Sequence, residues 1–278
     1  MKGGYSVCTA ICVSLKNHYF GRNLDYESTF GEKIVITPRN YSFTFTNGET
    51  LKNHYSMIGV ALAYHKYPLY FDATNEKGLS MAGLRFSGFC KYKIKMKSFN
   101  NIASFELIPY VLGKCKSVFE AKILFKNINI TDEAISKTLP PSPLHWIISD
   151  SESSIVIEQT KNGLKVYDNP TGVLTNNPTF DMQMFNLNNY LSISPNEPQN
   201  NFSHQLDLNS YSRGMGGLGL PGDLSSMSRF IKASFTKLNS VFGDTENEIV
   251  HQFFHILYSV FQQKGCVRLG ESFEITNY

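Results

Sequence analysis

The hydrophobic period of this chain switches repeatedly, and the order of those switches limits the fold more than any single motif. The first third reads at a period of two. CTAICVSL alternates and is rich in β-formers, Lys16-Asn17 can turn it, and HYFGRNLD returns. KIVITP, YSFTFTN, SMIGVALAY, LYFDA and LSMAGLRF read as further strands, with a turn at TNEKG closed by Gly78. Apolar residues then fall at helical spacing in ASFELIPYVLG. Ser117 and Glu120 form a capping-box pattern ahead of VFEAKILFKNI. Strands come back at HWIISD, SSIVIEQT and LKVYD, the last two joined by a Lys161-Asn162-Gly163 turn. FDMQMFNLNNYL, SSMSRFIKASFTKL and ENEIVHQFFHILYSVFQQKG read as helices. Thr245 and Glu248 cap the last, and Gly265 is its expected stop. Strands, helices, strands, helices is not βαβ alternation, so a parallel doubly wound sheet is disfavoured. The pattern predicts an α+β layered fold with two mostly antiparallel sheets.

With 278 residues, 42% hydrophobic and 18% charged, the chain can build one sizeable core, and no linker-like tract divides it. A net charge of +3 with no basic run argues against nucleic acid as a partner. No apolar stretch is long enough to span a membrane, and MKGGYSV lacks the apolar core of a signal peptide, so the reading is cytoplasmic. The five cysteines, Cys8, Cys12, Cys90, Cys115 and Cys266, are odd in number and contain no C-x-x-C. That speaks against a disulfide framework or a zinc site, and predicts that all but one are buried small hydrophobes.

Three weaker motifs fall away. Gly214–Gly219 matches G-x-G-x-x-G, but a polar segment precedes it and Pro221-Gly222 follows, so it reads as a mobile loop over a pocket. His251 and His255 share a helix face, yet Gln252 stands where a metalloprotease needs its Glu, so both read as partly buried structural residues. The three N-x-[ST] triplets, at Asn40, Asn129 and Asn201, are chance matches without a secretion signal.

Cys8 is different. It lies on a short apolar strand, and Arg22 and Asp25 lie on the return strand. A free thiol has a pKa of about 8.5 and needs help to act as a nucleophile near pH 7. Arg22 can favour thiolate electrostatically. The cysteine's own α-amine, with a reference pKa of about 7.7–8.0, could serve as the base. That works only if Cys8 is the first residue, and Asp25 would then hold and orient the amine.

C-T-A…FGRN-x-D followed by ITPRNY resembles the start of the choloylglycine hydrolase family of N-terminal-nucleophile hydrolases, which includes bile salt hydrolases and penicillin V acylases. NEKGLSMAGL, SPLHWIISD, GVLTNNPTFD, YSRGMGGLGLPGDLSSMSRF and QFFHIL continue the match in family order over nearly the whole chain. The glycine loop and LPGDLSSMSRF look closest to the bile salt hydrolase branch. The resemblance implies a four-layer αββα sandwich, with residues 8–278 as one such domain. It also implies hydrolysis of the amide joining a bile acid to glycine or taurine, no metal or organic cofactor, and a homotetramer. Residue by residue it places Cys8 at the nucleophile, Arg22 and Asp25 at the Arg and Asp of FGRN-x-D, Asn176 at the oxyanion-hole asparagine, and Arg229 at a buried active-site arginine. Each has a plainer alternative: ion-pair partners for the arginines, a turn before Pro178 for Asn176.

The chain departs from the family pattern in three places. Residues 1–7 precede the cysteine, as a leader or a mis-assigned start. Lys2-Gly3-Gly4 can be encoded by a purine-rich run resembling a ribosome-binding site, and Val7 by an alternative start codon; a gene sequence lacking either would sink that idea. Arg85 stands in NEKGLSMAGLRF where bile salt hydrolases typically have an oxyanion-hole asparagine. Its N–H would still donate, while its charge would either meet a substrate anion or its bulk fill the pocket. Finally, SFEITNY ends where members usually continue through a Cys-containing strand, so the expectation is a C-terminal truncation with strands missing.

Overall fold

The computed structural model describes residues 7–277. Two sheets lie face to face, with helices on each outer side. The first sheet has five strands, in the order Val173–Leu174, Val7–Ser14, His18–Tyr26, Ser272–Thr276, Val267–Leu269. The second has seven: Gly163–Asp168, Ser154–Thr160, Leu144–Ser149, Ser80–Arg85, Tyr67–Asn75, Met57–Tyr64, Lys33–Thr37. Every pairing in both sheets is antiparallel. Helix Leu107–Lys114 packs on the seven-stranded sheet, and helices Ser226–Asn239 and Glu246–Tyr258 pack on the five-stranded one. This is the expected αββα stack.

The strand Ser154–Thr160 shows why the layers form. Ile155 and Ile157 point into the core beneath helix Leu107–Lys114 with Trp146, Ile148 and Met81, while Val156 points into the core between the sheets with Ile147, Ala82, Leu84 and Ile11. All seven of its residues are buried. A strand covered on both faces reads as an apolar run, here Ile155–Val156–Ile157, and burying each such side chain is worth about 1.5–3 kcal/mol. Val7–Ser14 is built the same way, its residues from Cys8 to Val13 all buried. The turn after Thr160 falls where foreseen, and Gly163 takes a φ of 103°, which L-residues rarely adopt.

Several local expectations are corrected. YSFTFTN yields only the two-residue strand Phe43–Thr44, because its partner Thr50–Leu51 is equally short. The last helix ends at Tyr258, well before Gly265; Ser259 and Val260 close it by bonding back to carbonyls of its final turn, and the following residues run toward the strand Val267–Leu269. Ser117 caps its helix by accepting the Glu120 N–H, but the Glu120 carboxylate accepts from Lys116 N–H, so the reciprocal box is not made. His251 and His255 are exposed on the outer face of their helix. Cys12 and Cys115 are buried and Cys90 half-buried as expected for small hydrophobes, but Cys266 is exposed. Met215–Gly217 is a 3-10 turn with Gly216 buried against Ser194 and Asn196, where a Cβ would collide with backbone oxygens. None of Gly214–Gly219 lines either cavity beside Cys8. Of the leader or mis-assigned start read at residues 1–7, residues 1–6 lie outside the described residues, and Val7 begins the first strand. Among the described residues, no helix is long and apolar enough to cross a membrane.

Candidate active site

Cys8 sits near the start of the first strand of the hairpin, 1% exposed, where the two sheets face each other. Antiparallel pairing sets Val7 opposite Asp25, Cys8 opposite Leu24 and Ala10 opposite Arg22. The short turn between Ser14 and His18 fixes that register. Arg22 is buried and crosses to the second sheet, donating from Nη1 to the Gly83 carbonyl at 2.9 Å and the Phe71 carbonyl at 3.2 Å. The Asp72 carboxylate lies 3.9 Å from the same atom. A Cβ at Gly83 would come within 3.1 Å of the Trp146 indole nitrogen, so glycine allows this close packing.

Asp25 is fully buried and accepts a hydrogen bond from the Thr276 hydroxyl. The strand Ser272–Thr276 brings that partner alongside, with Thr276 paired to Asp25 in register. Burial pushes the Asp25 carboxyl up from 3.8 to about 6, against the pull of Arg229, the Thr276 hydroxyl and Arg22. At pH 7 it is mainly ionised, with two arginines near enough to hold its charge.

Asn176 follows the short strand Val173–Leu174. Its Oδ1 accepts the Cys8 backbone N–H at 2.7 Å and Arg229 Nη2 at 2.8 Å. Its Nδ2 donates to the Arg85 carbonyl at 2.8 Å. Arg229 comes from helix Ser226–Asn239 and is fully buried. Its Nη1 donates to the Cys8 carbonyl at 2.6 Å and to the Thr9 hydroxyl, and its Nε donates to the Leu224 carbonyl at 3.0 Å. The structure therefore brings all five anticipated positions into one cluster, and joins Arg85 to it through its backbone. Among the described residues no group of three or more His, Cys, Asp or Glu side chains is placed to hold a metal ion.

Two cavities meet at this cluster. One is lined by Cys8, Arg22, Leu24, Tyr26, Phe71, Trp146 and other mainly apolar side chains, and measures about 200 Å³. The other is a wider cleft of about 970 Å³ on the side of Val7, which carries Asn176, Ser226, Lys232 and Arg268 beside apolar residues such as Leu224, Phe261 and Val267.

Sequence reasoning passed over the layer behind Asn176. His145 Nε2 donates to the Thr175 carbonyl at 2.8 Å, and its Nδ1 lies 3.1 Å from Glu158 Oε1. Both side chains are fully buried, and the imidazole stacks on Phe86 at 4.3 Å. Glu158 Oε1 also accepts the Phe180 N–H. Gln183 donates to the Asn176 and Pro178 carbonyls, and the Ser226 hydroxyl accepts the Asn176 N–H at 2.8 Å. The available signal was one titratable residue in each of two apolar runs, HWII and IVIE. Thr276 gave no such signal.

A thiol beside an aligned amide oxygen and two arginines, at the seam of two facing antiparallel sheets, is the arrangement of a cysteine-dependent amidohydrolase. The family model for linear amide C–N hydrolases of the choloylglycine hydrolase family matches residues 8–278, and this chain belongs to that family. A bile salt hydrolase/transferase of Lactiplantibacillus plantarum is 55% identical over 273 residues, covering 98% of this chain and 84% of that protein. A mutant of conjugated bile acid hydrolase from Clostridium perfringens superposes with a TM-score of 0.87 at 37% identity, covering 97% of this chain and 84% of that one. A penicillin V acylase from Agrobacterium tumefaciens gives 0.71 at 21% identity over 94% of this chain and 74% of that one, a likeness of fold.

Proposed function

We propose that this chain hydrolyses the amide bond joining a bile acid to glycine or taurine, with Cys8 as nucleophile. The observation that carries the reading is that Cys8 lines an apolar cavity which joins, at Arg85, a cleft bordered by Asn176, Arg229 and Lys232. An amphiphilic amide laid across that junction puts its apolar acid on one side, its polar amine on the other, and its carbonyl beside sulfur. The relatives named as bile salt and conjugated bile acid hydrolases support the same substrate class.

In this mechanism Cys8 Sγ attacks the amide carbonyl and forms a thioester as the amine leaves; water then hydrolyses the thioester. Asn176 Nδ2 stabilises the oxyanion, a donor of a kind whose loss typically costs about 10²–10³ in rate. For that it exchanges its bond to the Arg85 carbonyl for the developing charge. Arg229 holds the Asn176 side chain and the Cys8 carbonyl in register. The proton carrier is the Cys8 amine once Cys8 is the first residue, steadied by Asn176 Oδ1, which already accepts from that nitrogen. Arg22 and Asp25 set the field around sulfur.

Purified protein translated from Met-Cys8 is expected to release free glycine or taurine from conjugated bile salts. A folded sample that releases neither, yet cleaves penicillin V, would transfer the assignment to the acylase reading.

A further inference from the structure

We infer that Arg85 forms the anion-binding half of the substrate site and makes the enzyme selective for amides whose amine carries a carboxylate or sulfonate. The inference rests on the amide-hydrolase reading above and names the leaving group that the polar cleft takes.

Among the described residues, Arg85 is the one that lines both cavities beside Cys8. It ends the strand Ser80–Arg85 and is half-buried. Its backbone carbonyl is already held by Asn176, so the side chain is anchored within one residue-length of the nucleophile's cluster. Its Nε donates to the Ser87 hydroxyl at 2.8 Å, and Ser87 lines the polar cleft. The Tyr26 hydroxyl, on the apolar side, hydrogen-bonds the same side chain, so the guanidinium stands at the junction of the two cavities.

The surrounding charge has one sign. Arg85, Arg229, Lys232 and Arg268 line the cleft against a single carboxylate, Asp223. Asp223 is turned to local use: it accepts from Ser225 N–H and the Ser228 hydroxyl, which hold its carboxyl at about 2. Arg229 is committed to Cys8, Thr9, Asn176 and Leu224, so it contributes field but not contact. Of these cations Arg85 is the one that also lines the Cys8 cavity, which places it to meet an anion carried on the leaving amine. A planar guanidinium suits a carboxylate or sulfonate through paired N–H bonds. Lys232 and Arg268 line the same cleft and add attraction that salt screens.

The test compares two amides of one bile acid: its taurine or glycine conjugate and its neutral ethanolamide. The enzyme is expected to favour the anionic amide about ten- to hundredfold in kcat/KM, the range expected of one charge-assisted contact. In Arg85→Gln that preference should fall to within about twofold of unity, with KM carrying most of the change, and Arg85→Lys should keep a part of it. An equal loss on both amides in Arg85→Gln would overturn the inference, as would a wild-type enzyme with no preference. Calorimetric titration of the Cys8→Ser chain with both amides needs no turnover. If wild type cleaves neither amide, the hydrolase reading fails, and the titration alone decides the anion site: tighter binding of the anionic amide that Arg85→Gln erases upholds it, and equal binding refutes it.

Discussion

Arg229 donates to the carbonyl of Cys8 at 2.6 Å, joining residues 221 apart in the chain with no solvent between them. The same guanidinium also holds Asn176, Thr9 and Leu224, so one fully buried cation fixes the nucleophile's backbone and the amide beside it.

Replacing Arg229 strips four acceptors of their donor at once. Breaking a buried charged network from one side typically costs about 3–5 kcal/mol. Arg229→Leu is expected to lose about that much in urea melts and to be inactive; a variant within 1 kcal/mol of wild type would show that water replaces the guanidinium at little cost.

Cys8→Ser keeps the shape of the site but replaces a thiol by a much less acidic hydroxyl. Turnover should drop by at least about 10³ while bile-salt binding stays within a few-fold. Wild-type turnover in this variant would refute the nucleophile assignment.

Asp25 gives a pH signature with a definite sign. Its carboxyl sits near 6 in the folded chain against an ordinary 3.8, so the fold favours the neutral form. The stability this provides is complete below about pH 4 and is lost as pH rises through 6, amounting to roughly 3 kcal/mol. Asp25→Asn lacks this dependence. The stability of the variant relative to wild type should therefore increase by about that amount between pH 4 and pH 7. A constant difference across that window would mean that the two arginines fully offset burial.

Behind Asn176, His145 Nδ1 lies 3.1 Å from Glu158 Oε1, and Phe180 N–H and the Thr175 carbonyl depend on the pair. His145→Asn and Glu158→Gln should each cost about 2–4 kcal/mol and lower kcat more than they raise KM. The double variant should cost less than the sum, with a coupling of about 1–3 kcal/mol. Strict additivity would show that the two side chains act separately.

The layer order was legible in the sequence because strands buried on both faces, such as SIVIEQT, and amphipathic helices have different periods. Boundaries set by partners were not: Phe43–Thr44 is short because Thr50–Leu51 is short. The hairpin half of the site could be read directly, since Cys8, Arg22 and Asp25 share two paired strands. Asn176 and Arg229 have no local signature and were placed by resemblance alone. Thr276 and the His145–Glu158 pair went unnoticed, because a polar residue in a strand reveals its partner only once the sheets face each other. The histidines at 251 and 255 were misread as partly buried because helical spacing gives a shared face without saying which way that face points.

The nucleophile leaves the ribosome before its partners: Asn176 and Arg229 follow it by 168 and 221 residues, and Thr276 follows Asp25 by 251. At about 5–20 residues per second, translation takes roughly 10–50 s to bring that last contact into being. A nascent chain stalled before residue 226 should thus carry a reactive thiol and no hydrolase activity. Assembly order becomes a timer, and the chemistry starts only when late segments of the chain close over its beginning.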